Sequence, residues 1–74
     1  PLVLTDYNMP GMNGLQLTRA IKAAAPDTRV ILTTAFPTGE LERQAREAGA
    51  DYFLAKPLPL DELEQIIAQL LASS

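Results

Sequence analysis

Three short apolar runs alternate with stretches of helical period, and a chain of only 74 residues has few ways to fold around that alternation. The runs are Leu2-Val3-Leu4-Thr5-Asp6, then Arg29-Val30-Ile31-Leu32 ending in Thr33-Thr34-Ala35, then Tyr52-Phe53-Leu54-Ala55 ending in Lys56-Pro57. Strands separated by helices pair in parallel, because a parallel neighbour is reached only through a crossover. Open parallel sheets place their ligands beyond the C-terminal ends of the strands. There the three runs deliver an acid, a hydroxyl and an ammonium: Asp6, Thr34 and Lys56.

The intervening segments carry their own start and stop signals. Asn13 can cap a helix starting near Gly14, with Leu17, Ala20, Ile21 and Ala24 expected on its buried face and Pro26 ending the run. Thr38 can cap a second helix, in which Leu41, Ala45 and Ala48 share one face and Glu40, Glu42, Arg43, Arg46 and Glu47 line the other. Gly49 suits the left-handed position past its end. A third helix has a wide stripe of Leu63, Ile66, Ile67, Leu70 and Leu71, with Pro59 near its start and Asp61 and Glu62 at the positive end of its dipole. Right-handed crossovers advancing in one direction put the first two helices on the same side of the sheet, leaving the third to cover the other.

The chemistry available is restricted. With no cysteine and no histidine, the chain has no disulfide, thiolate or imidazole, leaving carboxylates, hydroxyls and amines. A net charge of −3, with six Lys and Arg spread along the chain, gives no basic stripe for direct nucleic-acid binding. The apolar runs are too short to span a bilayer, and the first residues lack the pattern of a secretory signal, so the expected setting is the cytoplasm.

Apolar strands of this kind are normally covered on both faces, and one helix is little cover for a three-stranded face. Chains of this size bury only about 60% of the surface that their unfolded form exposes. Pro1 stands almost inside the first strand with no initiator Met before it, so an upstream segment is expected. The Leu2–Thr5 edge has no charge or bulge to discourage pairing with another chain.

Asp6, the turn Met9-Pro10-Gly11-Met12-Asn13-Gly14, Thr34-Ala35 and Lys56-Pro57 stand in an order that resembles the receiver domain of two-component response regulators. The resemblance covers the whole chain but only the last three of the family's five βα units. It implies a flavodoxin-like, doubly wound parallel sheet, incomplete here as β-α-β-α-β-α, with residues 1–74 as a truncated receiver domain.

In such domains the acid matching Asp6 takes a phosphoryl group from a histidine kinase or phosphotransfer protein. The resemblance makes Lys56 the contact to the phosphoryl oxygens, Thr34 the switch hydroxyl and Phe53 the aromatic that moves with it, the change passing to a downstream effector domain or protein. It also implies a cis bond between Lys56 and Pro57, and backbone geometry as the role of Pro10 and Gly14. Mg²⁺ would be held by Asp6 and the Asn8 carbonyl together with an acidic pair that follows the family's first strand. That pair is missing from these residues, so weak or absent Mg²⁺ binding and impaired phosphorylation are expected.

Two other readings fit the same residues. The chain could act as a non-catalytic fragment that pairs as a homodimer through its first strand. An acid, a threonine and a lysine at successive strand ends also suit a phosphatase with an Asp nucleophile. Such enzymes typically place a second acid two residues on, where this chain has Asn8.

Overall fold

The computed structural model describes residues 1–8 and 11–72. Met9 and Pro10 lie outside the described residues, and with them the backbone role expected of Pro10. The elements follow one another as β1 (Leu2–Asp6), α1 (Gly14–Ala24), β2 (Arg29–Thr34), α2 (Gly39–Ala48), β3 (Tyr52–Ala55) and α3 (Leu60–Ala72). All three strands are parallel, in the order β1-β2-β3, with Leu4 opposite Ile31 and Leu32 opposite Phe53.

Successive strand residues point to opposite faces, so Ile31 and Leu32 divide the interior in two. Leu32 packs with Leu15, Leu41, Ala45 and Ala48 beneath α1 and α2, joined by Tyr7 and Phe53. On the other side, Ile31 packs with Leu63 and Leu70 of α3, joined by Leu2, Leu54 and Leu58. Both crossover helices therefore share a face, as handedness requires, and α3 covers the reverse. Cover is complete only over the central strand: Val30, Ile31 and Leu32 are fully buried, whereas Leu4 on β1 is 47% exposed.

Two helix faces differ from expectation. In α1 the deep residues are Gly14, Leu15 and Thr18, while Leu17 and Ile21 are half-buried and Ala20 and Ala24 exposed. The face meeting the sheet runs instead through Leu15 and Thr18, with Leu15 packed on Leu32. Thr18 satisfies its hydroxyl on the Gly14 carbonyl at 2.8 Å, and Lys22 carries its amine out to the sheet edge. In α3, Leu63 and Leu70 are buried and Ile66 and Ile67 half-buried, but Leu71 at the end of the stripe is 48% exposed.

Helix ends follow the sequence signals closely. Asn13 caps α1 in a full capping box, its side chain accepting from the Gln16 N–H while the Gln16 side chain accepts from the Asn13 N–H. Thr38 caps α2 by accepting from the Leu41 N–H, and Gly49 ends that helix at φ +103°.

Candidate functional site at the C-terminal strand ends

Asp6 closes β1, Thr34 closes β2, and Lys56 follows β3, so the parallel register brings three polar residues to one edge. The Lys56 ammonium contacts the Asp6 carboxylate across the sheet, fifty positions apart in sequence. The other carboxylate oxygen accepts from the Asn8 N–H at 3.2 Å. Hydrogen bonding to Lys56, helped by the Asn8 N–H, holds the Asp6 carboxyl below the usual aspartate range. Asp6 is thus an ionised, partly solvent-accessible carboxylate, available as a nucleophile and already beside a cation.

Backbone hydrogen bonds set this edge. The Tyr7 N–H donates to the Thr33 carbonyl and the Lys56 N–H to the Thr34 carbonyl, both at 2.8 Å. The Lys56–Pro57 peptide is cis, as the resemblance implied. Gly14 heads α1 and its N–H donates to the Tyr7 carbonyl at 2.8 Å, which ties the helix start to the segment leaving Asp6.

Thr34 is buried, and its hydroxyl oxygen accepts from the Phe36 N–H at 3.1 Å. Phe36 itself is 77% exposed, and residues 35–40 are exposed throughout. Phe53 lies half-buried against the α1/α2 core, in register with Leu32. The structure therefore joins Asp6 directly to Lys56 and Asn8, with Thr34 on the neighbouring strand end and Phe53 on the core face below.

Among the described residues no group of three or more carboxylate, histidine or cysteine side chains could hold a metal ion. Mg²⁺ requires a near-octahedral oxygen set with one or two carboxylates. Asp6 and the Asn8 carbonyl do not make up that set. Asp51, at the opposite end of the sheet, accepts from the Val30 N–H, Lys22 and Arg29 at 2.8, 2.9 and 3.4 Å. Nothing local in the sequence announces this brace, since its partners are 21 to 29 positions apart.

The structure is thus an open parallel sheet with an acid, a hydroxyl and an ammonium along one edge. The sequence profile of the response regulator receiver domain matches residues 1–68. Sporulation initiation phosphotransferase F of Bacillus subtilis is 33% identical over 70 residues, covering 95% of this chain and 56% of that protein. The beryllofluoride-activated receiver domain of DrrB from Thermotoga maritima superimposes with a TM-score of 0.93 at 32% identity, over 96% of this chain and 61% of that one. A chain of the CheX–CheY–BeF3–Mg²⁺ complex from Borrelia burgdorferi matches with a TM-score of 0.84 at 27% identity, over 95% and 52%. The chain belongs to the response regulator receiver domain family of two-component signalling, and it spans between a half and two thirds of the length of these three relatives.

Proposed function

We propose that Asp6 is the phosphoacceptor of this receiver, taking its phosphoryl group from a phosphohistidine on a kinase or phosphotransfer protein. The contact between Lys56 and the Asp6 carboxylate carries this reading. A carboxylate oxygen of Asp6 attacks phosphorus, the P–O bond forms as the P–N bond breaks, and the imidazole nitrogen leaves with the electron pair. Such transfer depends mainly on alignment and on neutralising charge spread over the phosphoryl oxygens. Lys56 suits that role, because its ammonium is a compact charge with three donors, free to pass from the Asp6 oxygen to a phosphoryl oxygen.

Thr34 accepts from the Phe36 N–H and keeps its own O–H to donate, so turning toward a phosphoryl group would release the Phe36 loop and the start of α2. Phe53, half-buried beside that core, follows the space so vacated. The change reaches a downstream effector domain or protein, and the setting is the cytoplasm. Among the described residues no helix is long and apolar enough to cross a membrane. Mg²⁺, when bound in such a site, supplies neutralisation of phosphoryl charge. Among the described residues the oxygen ligands at this edge are too few, and the 74 residues alone should take up phosphoryl groups poorly.

Phosphotransfer from an autophosphorylated histidine kinase to the receiver containing this segment, followed by reduction and peptide mapping, should mark Asp6. Label on another residue, or label surviving Asp6→Asn, would refute the assignment.

A second reading rests on Leu4, 47% exposed on an outer strand. Two copies of the 74-residue chain pair along β1, and sedimentation should find a dimer that Leu4→Lys converts to monomer. A wild-type monomer at high concentration would count against it.

A further inference from the structure

Gly14 has a closer neighbourhood than any other glycine of the chain. A Cβ built on it would lie 2.6 Å from the Asp6 carbonyl oxygen, 2.9 Å from the Tyr7 Cα and 2.5 Å from the Leu32 Cδ1. Two of these three neighbours are main-chain atoms of the residue pair that carries the reactive carboxylate into its loop. Real Cβ atoms do not approach that closely, and main chain cannot rotate away as a side chain can.

The Gly14 peptide is held on both sides. Its N–H donates to the Tyr7 carbonyl, and its carbonyl accepts from Thr18 Oγ1, each at 2.8 Å, with Thr18 fully buried. Tyr7 in turn donates to the Thr33 carbonyl at 2.8 Å. A continuous hydrogen-bonded path therefore runs from the buried Thr18 through Gly14 and Tyr7 to the central strand. Asp6 sits immediately before Tyr7 on this path, and the Asn8 N–H that meets its carboxylate immediately after.

We propose that Gly14 is a positioning residue for Asp6: its missing side chain lets α1 close on the Asp6–Tyr7 main chain and so aims the carboxylate at Lys56 and the Asn8 N–H. The phosphoryl-transfer role of that carboxylate rests on the function proposed above, whereas its aim does not. Any side chain at position 14 forces a choice between unseating α1 and shifting the Asp6–Asn8 turn. Thr18 belongs to the same device, because it fixes the Gly14 carbonyl without touching Asp6.

The test separates aim from packing by comparing the Asp6 carboxylate's contacts with Lys56 and the Asn8 N–H in crystal structures of the variants, beside a thermal melt. Gly14→Ala combined with Leu32→Val removes the one side-chain clash and leaves the two main-chain ones. That pair should melt below Leu32→Val alone and should part the Asp6 carboxylate from Lys56 and the Asn8 N–H. A carboxylate that keeps both contacts would make Gly14 a packing residue and overturn the proposal.

Thr18→Val replaces the hydroxyl by a methyl of similar shape and keeps the matter decidable if the double variant does not fold. It should loosen the same two Asp6 contacts, with Thr18→Ser restoring them. Contacts unchanged in Thr18→Val would equally overturn the proposal. Neither readout requires phosphorylation, so a protein that shows both displacements yet never carries phosphate on Asp6 refutes the phosphoacceptor role and not the positioning.

Discussion

At the scale of single residues, two aspartates of this chain have depressed pKa values for different reasons. Asp6 is held down by Lys56 and the Asn8 N–H at an accessible site, where the charge remains available for chemistry. Burial pushes Asp51 up, but the Val30 N–H, Lys22 and Arg29 outweigh it and leave the carboxyl below its ordinary value. A carboxyl lowered in the folded state stabilises the fold above its unfolded pKa, and that contribution disappears as pH falls through the folded pKa. Acid melts should therefore lose stability below about pH 4, the unfolded value for aspartate. Asp51→Asn, which keeps the shape and loses the charge, should flatten that limb. Asp51→Ala should cost about 1–3 kcal/mol at neutral pH, since a buried-edge amide and two cations lose their acceptor. A chemical-denaturation series across pH measures both.

At the scale of elements, the ends of the helices were more legible than their faces. Asn13, Thr38 and Gly49 announce boundaries through local hydrogen-bonding and backbone conformation, which sequence neighbours settle among themselves. Thr38→Ala should lower stability by about 1 kcal/mol through loss of the Leu41 N–H acceptor. Gly49→Ala should cost about 1–2 kcal/mol, because φ is +103° and the new Cβ would stand 3.0 Å from the Lys22 Cγ. Thermal melts of the two variants test whether both ends of α2 matter. The buried face of α1 departs from the apolar pattern, since Leu17, Ala20, Ile21 and Ala24 are the more apolar stripe. The sheet is met instead through Leu15, packed on Leu32, and through the buried Thr18, whose hydroxyl is absorbed by its own helix.

At the scale of the whole molecule, β2 carries the fold. Its apolar residues are fully buried between the two helical layers, and the packing of Ile31 and Leu32 on opposite sides joins the layers into one body. Ile31→Ala should cost about 2–5 kcal/mol by removing buried methyl groups from a close-packed site. A domain of this size has a total stability of roughly 4–11 kcal/mol. The variant should therefore lose a large share of that stability, and a urea titration followed by circular dichroism measures the loss as a lowered midpoint. The outer strands are less protected, with β1 presenting Leu4 to solvent.

What the sequence determined by itself was order: three βα units, their caps, and an acid, a hydroxyl and a Lys-Pro pair at successive strand ends. Those features are local, or they recur at the roughly 2.0 and 3.6 residue periods that strands and helices impose, so the chain displays them without being folded. Only the tertiary structure decided which residues meet. It set Lys56 on Asp6, gave Asp51 its cations, chose the buried stripe of α1 and pressed Gly14 against the Asp6 main chain. Each of these depends on register between strands and on close approach between layers, and no stretch of neighbouring residues records either.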